Sequence, residues 1–207
     1  GDEVEAIDGG YCANNPTPKS NRVKIDQTDP EIMPLGTVHR LLDVASSYKD
    51  GRCLPYFTLG LFCALRPDEM DRITWRNIDL DDRVVTLGAD IAKTRSKRHV
   101  EISDNAIEWL RPHALKKTEI GIGRYDFDAV RKLAGLKKWG VDIMRHTAIS
   151  NHLTAHQHEG KTALWAGNSP TIIQKHYKGL VKRQDAEAFR NIKPDDEGGK
   201  IVKLAIG

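Results

Sequence analysis

DIMRHTAISNHLTA, residues 142–155, spaces Ile143, Ala148 or Ile149, and Leu153 at helical intervals. It predicts a helix with one apolar face and with Asp142 as its N-cap. Arg145 lies one turn inside, where a guanidinium is held by its scaffold. A helix of this kind needs neighbours to cover its apolar face, and both flanks supply them. Upstream, GTVHRLLDVASSY (36–48) repeats the period through Val38, Leu41, Leu42 and Ala45. LPYFTLGLFCALR (54–66) is apolar nearly all round, so it predicts a buried helix ending at Arg66. RPDEMDRITW (66–75) restarts a helix, with Pro67 suited to its first turn and Asp68 and Glu69 to its N-terminus.

Between these helices RVVTL (83–87), DIAK (90–93) and RHVEI (98–102) are short and β-like, with KTRSKR (93–98) as a charged hairpin tip. DNAIEWL (104–110) reopens helix, capped by Asp104 or Asn105, and DFDAVRKLAGL (126–136) is another with a break at Gly135. Downstream, TALWAG (162–167) and TIIQKHYKGL (171–180) are two short helices split by Asn168-Ser169-Pro170. The expected fold class is therefore α+β: mostly helical, with one small antiparallel sheet. Residues 1–33 carry Pro16, Pro18 and Pro30 and no sustained apolar period, so they read as a linker or tail from an N-terminal domain absent here. Residues 34–190 form the domain proper. Residues 191–207 are a C-terminal tail whose KIVKLAI (200–206) is a candidate docking strand beyond a Gly-Gly hinge.

Composition narrows the function. No apolar run approaches the roughly 18 residues of a membrane span, so no membrane partner is expected. Cys12, Cys53 and Cys63 lack CxxC spacing and are odd in number, which points to reduced thiols in a cytoplasm. Residues 1–50 hold nine acidic against five basic side chains, a net of −4; this leaves +7 for residues 51–207 out of the chain's +3. A basic body suits a polyanion such as nucleic acid. From Lys161 to Arg183 there is no acid, and Tyr177 stands among Lys175, Lys178, Lys182 and Arg183. His152, His156 and His158 lie close in sequence, but HLTAH lacks the glutamate of HExxH, so no metal is expected.

Arg66, Arg145, Lys93 and Tyr177 together describe a phosphodiester strand-transfer site. Arginine grips phosphate through its planar fork, and two of them stabilise charge on the non-bridging oxygens of a pentacoordinate phosphorus. Tyrosine attacks phosphorus, and lysine protonates the departing 5′ oxygen. No metal or nucleotide cofactor is needed.

The same residues carry a resemblance. ALRPDEMDRITWRNIDL (64–80) resembles the first arginine box of the tyrosine recombinase (phage integrase) family, G-L-R-x-x-E-L-x-x-L-x-W-x-D-I-D. AKTRSKRHVEI (92–102) is similar to its hairpin segment A-K-T-x-x-x-R-x-V-P-L, DIMRHTAISNHL (142–153) to H-x-L-R-H-T-F-A-T-x-L, and LWAGNSPTIIQKHYKGL (164–180) to L-G-H-S-S-x-x-T-x-x-Y. The four segments occur in the family's order, with its spacing of 32 from Arg145 to Tyr177 and of nine from Asn168 to Tyr177. The resemblance spans residues 35–185 and implies a catalytic domain that cuts and rejoins duplex DNA through a 3′-phosphotyrosine link. It implies Arg66 and Arg145 as the phosphate clamp, Lys93 as general acid, Glu69 as a buttress and Tyr177 as nucleophile. Arg95, Lys97, Arg98, Lys175 and Lys178 are expected to contact DNA. The implied partners are double-stranded DNA and further copies of the chain assembled on it, and the implied location is the nucleoid.

Two positions depart from the family pattern. Asp142 and Asn168 stand where the family has histidine, or histidine or tryptophan; Asp142 puts a repelling carboxylate in place of a donor to the phosphate, whereas Asn168 is the milder change and still offers a neutral donor. His146, directly after Arg145, is a candidate substitute donor. The alternatives are a recombinase-like protein that binds DNA without cutting it, and a helix-turn-helix regulator suggested by TALWAGNSPTIIQKHY (162–177).

Overall fold

A computed structural model describes residues 29–92, 97–116 and 119–194. Most of the predicted N-terminal tail, Lys93, Arg95 and the KIVKLAI segment lie outside the described residues. The fold is α+β, with helices packed around a three-stranded antiparallel sheet of order β1-β2-β3.

Helix α1 (Leu35–Ser47) buries Val38, Leu41, Leu42 and Ala45, the stripe expected from their spacing. Helix α2 (Leu54–Phe62) is buried at every residue, which is why its sequence shows no polar face. It ends four residues before the predicted stop at Arg66, because the chain turns left-handed at Ala64 (φ 51°). Arg66 is therefore not the last residue of a helix. It lies in the extended connector that enters α3 (Pro67–Met70), with Pro67 in the first turn as expected.

Strand β1 (Ile78–Asp79) pairs with β2 (Val84–Leu87), which pairs antiparallel with β3 (Arg98–Glu101), Leu87 opposite Arg98. Asp90–Ala92, expected as strand, forms a turn: Ile91 and Ala92 donate backbone hydrogen bonds to the Gly88 carbonyl and are buried there. In β3 the side chains alternate strictly. Arg98 and Val100 face inward, His99 and Glu101 outward.

Helix α4 (Asp104–Lys116) follows the sheet, then α5 (Arg124–Leu133). Phe127 of α5 stacks on Phe57 of α2 at 5.8 Å, and Trp139 meets Phe127 edge-on at 5.0 Å. This cluster pins the 134–142 connector to the core and so fixes where α6 (Ile143–His156) begins. A Cβ on Gly60 of α2 would lie 2.8 Å from Met144 Cε, so glycine lets α6 approach α2 directly before Arg145. Short helices α7 (Glu159–Ala166) and α8 (Pro170–Tyr177) cover α6, and α9 (Arg183–Arg190) closes the domain. The last was not apparent from the sequence: amid charges it buries only Ala186 and Phe189.

Candidate active site

Three backbone carbonyls and one carboxylate organise the arginines. Arg145 is 4% exposed. Its Nη1 donates to the Ala64 carbonyl and its Nη2 to the Ala166 carbonyl at 2.5 Å. The left-handed turn at Ala64 thus presents a carbonyl to α6. Arg66 sends Nη2 to the Gly167 carbonyl at 3.0 Å and Nη1 to Glu69 at 3.1 Å. Asn168 Oδ1 lies 3.4 Å from both Arg66 Nη2 and Arg145 Nη2, so the amide oxygen accepts from two guanidinium groups.

Glu69 is fully buried and accepts from the Arg66 backbone N–H at 3.0 Å as well as from Arg66 and Arg98 side chains. Arg98 was expected to contact DNA. The structure instead turns it inward, because its place in β3 is in phase with Val100. Its Nη2 meets Glu69 at 2.8 Å, its Nη1 the Ala166 carbonyl, and its Nε is buried without a partner. Two guanidinium groups thus pair with one carboxylate and Arg145 lies within range of its charge, a formal excess of +2 for the cluster. Burial, then repulsion from Arg66 and Arg98, lowers the Arg145 pKa to about 10. Arg145 stays protonated at neutral pH, and an anion entering the cluster would relieve the repulsion.

Gly167 ends α7 with φ 66°, and any Cβ there would overlap the Arg98 guanidinium. Glycine is required twice over, for the left-handed turn and for the close approach. Ser169 then caps α8 by accepting from Ile172 N, with Pro170 in the first turn. That helix delivers Tyr177, buried at 4% exposure. Tyr177 Oη lies 2.9 Å from His146 Nδ1. Burial raises the phenol's pKa, opposed by Arg145 and Arg66, which are close enough to act on it.

Asp142 occupies the position before α6 but departs from the expected N-cap. Its backbone is left-handed (φ 54°) and its exposed side chain makes no capping hydrogen bond. Lys97, Lys175 and Lys178 are exposed, the last 3.4 Å from Glu159. Of the residues singled out by spacing, Arg66, Glu69, Arg145 and Asn168 are joined by hydrogen bonds, and Tyr177 lies within reach of the charge of both arginines. Sequence spacing missed Arg98 as part of the buried cluster and the Ala64, Ala166 and Gly167 carbonyls. The histidines that resembled a metal set are otherwise engaged: His152 stacks on Trp165 at 4.1 Å and shares a hydrogen bond with Thr162, and His158 accepts from Lys161 N.

The model of the phage integrase family matches residues 33–161, a span that stops short of Asn168 and Tyr177. Among solved structures, the fold is similar to XerA recombinase, with TM-score 0.61 and 14% identity over 78% of this chain. It is similar to the Tn1549 transposon integrase bound to circular intermediate DNA (TM-score 0.64, 14% identity, 89% of this chain and 73% of that one). A lambda integrase dimer bound to a COC′ core site gives TM-score 0.58 and 16% identity over 82% of this chain and 68% of that one. The chain spans 64% of the XerA recombinase chain. No curated protein matches the sequence.

Proposed function

The chain belongs to the phage integrase family, and from that premise we propose that it cleaves and rejoins DNA strands at specific sites through a 3′-phosphotyrosine intermediate on Tyr177. One observation carries the reading. Tyr177 Oη lies within the field of a buried arginine cluster whose positive charge exceeds its negative charge. A phosphodiester carries one negative charge, and pentacoordinate phosphorus gathers a second on its non-bridging oxygens. Preorganised cations inside a water-poor site favour that state over the ground state.

Arg66 and Arg145 hold the scissile phosphate, each fixed by carbonyls that leave little freedom to reorient. Glu69 buttresses both Arg66 and Arg98. Lys93 protonates the leaving 5′ oxygen. Asn168, with its oxygen on the two arginines, has its amide N–H groups left to meet a phosphate oxygen. Arg95, Lys97, Lys175 and Lys178 contact the backbone of double-stranded DNA, on which the chain works as a homo-oligomer at the nucleoid. The fold's likeness to a DNA-bound lambda integrase dimer supports this partner set. Asp142 sets a negative charge near the reacting centre and slows the reaction relative to a histidine.

The test is incubation of the protein with supercoiled plasmid carrying randomised inserts, followed by denaturant. We expect relaxed plasmid and a covalent protein–DNA adduct that Tyr177→Phe abolishes. DNA binding without any adduct, from wild type as from Tyr177→Phe, would leave a DNA-binding protein without strand chemistry.

A further inference from the structure

A phenol attacks phosphorus only after its proton has somewhere to go. Tyr177 is held as the protonated form: burial raises its pKa, and Asp142 pushes the same way. Among the described residues its hydroxyl partners His146 Nδ1 at 2.9 Å, with ring centroids 5.7 Å apart and planes at 42°. Asp142, at the entry to α6, is close enough to act electrostatically on both His146 and Tyr177. The family's histidine position is Asp142 here, and the imidazole at this end of the helix is instead His146.

We propose that His146 is the general base of strand cleavage, with Nδ1 taking the phenolic proton as Tyr177 Oη attacks. The inference rests on the strand-cleaving reading above. As Oη bonds to phosphorus, the bond from phosphorus to the 5′ oxygen breaks and its electron pair leaves on that oxygen, which takes a proton from the general acid. His146 then carries the phenolic proton. On rejoining, an incoming 5′ hydroxyl attacks phosphorus and gives its proton to the former acid. Oη departs with the electron pair of the phosphotyrosyl bond and recovers the proton from Nδ1. Protons and charge balance over the cycle, and no cofactor enters.

The environment suits the role. Burial, Arg145 and His176 lower the His146 pKa, and Asp142 opposes them. These three charged or titratable groups, with Tyr177 itself, are what the ring faces from α6, its entry and α8. The ring is thus neutral at pH 7, and a neutral ring protonated on Nε2 accepts from Oη at Nδ1.

Single-turnover adduct formation on the randomised plasmid pool tests the proposal. His146→Gln keeps a polar side chain but cannot carry a proton, and we expect its cleavage rate to fall about 10²–10³-fold with DNA binding unchanged. His146→Ala should regain adduct formation when free imidazole is added. The wild-type rate should fall on acidification, at a pH below the ordinary histidine range because the His146 pKa is lowered, and both variants should lose that limb. Variants within roughly threefold of wild type, with the same pH profile, would overturn the proposal while leaving Tyr177 as nucleophile. If wild type forms no adduct, the strand-cleaving reading falls first and the proposal with it. Should the variants fail to fold, nitrogen-15 NMR of wild-type histidines decides instead. Nε2–H on His146 is expected, and a hydrogen on Nδ1 would make it a donor to Oη and contradict the base role.

Discussion

Glu69 is the residue on which the arginine cluster most depends. It is fully buried and takes two guanidinium groups and a backbone N–H. Removing its charge would leave buried Arg98 beside half-buried Arg66 with no counter-charge between them, and breaking such a pair from one side costs about 3–5 kcal/mol. Glu69→Gln should therefore lower unfolding stability by roughly 3 kcal/mol in urea titration, while a loss under about 1 kcal/mol would mean the cluster is solvated. Asp142 behaves oppositely. Its carboxylate is exposed and caps nothing, so Asp142→His should leave stability within about 0.5 kcal/mol. Cleavage should rise by an order of magnitude or more as a hydrogen-bond donor replaces a repelling charge. No gain in adduct rate would mean that the carboxylate lies outside the reacting field. At this scale Arg66, Glu69, Arg145 and Tyr177 were legible because residue type and spacing constrain them together. Arg98 was misread because a run of cations beside a hairpin looks solvated. Its period-two phase with Val100 and Ile102 was the available signal, and it pointed inward.

Among the elements, the α7–α8 junction has the least tolerance. Gly167→Ala would force a left-handed alanine and push a methyl into the Arg98 guanidinium. Backbone strain alone costs about 1 kcal/mol, so a fall in Tm with loss of adduct formation is expected; unchanged Tm would mean the turn can rearrange. Helix α6 adds an acid-sensitive feature at its far end. Burial pushes the His152 pKa down to about 3, with His156, Lys161 and Arg190 adding repulsion. The folded chain keeps this ring neutral while the unfolded chain protonates it below about 6.5. The unfolded state then binds more protons, and stability falls as pH drops from 6.5 toward 3. His152→Phe keeps a ring stacked on Trp165 and should flatten that acid limb in melts between pH 4 and pH 7 (about 1.4 kcal/mol per pH unit at most). An unaltered limb would assign it to other groups. Element boundaries were legible where an apolar stripe was long, as in α1 and α6. They failed where tertiary contacts rule: α2 stops at a left-handed alanine, and Ile91 and Ala92 are buried in a turn, not paired as strand. Helix α9 was invisible because two buried residues make too short a stripe.

For the whole molecule, the division of charge matters more than the net +3. In the proposed function the buried cluster takes one phosphate, and the exposed Lys97, Lys175 and Lys178 take the duplex around it. Binding to plasmid should weaken steeply between low and physiological salt as counterions are released, and Lys97→Gln with Lys175→Gln should reduce the slope without abolishing adduct formation. The family match covers residues 33–161, whereas Tyr177, the proposed nucleophile, lies beyond them. Peptide mapping tests that role most directly. The denatured adduct is digested with nuclease and trypsin, and the nucleotide-bearing peptide is sequenced by mass spectrometry. A nucleotide 3′-phosphate esterified to Tyr177 is expected. A nucleotide on any other residue, or an adduct that survives Tyr177→Phe, would contradict it.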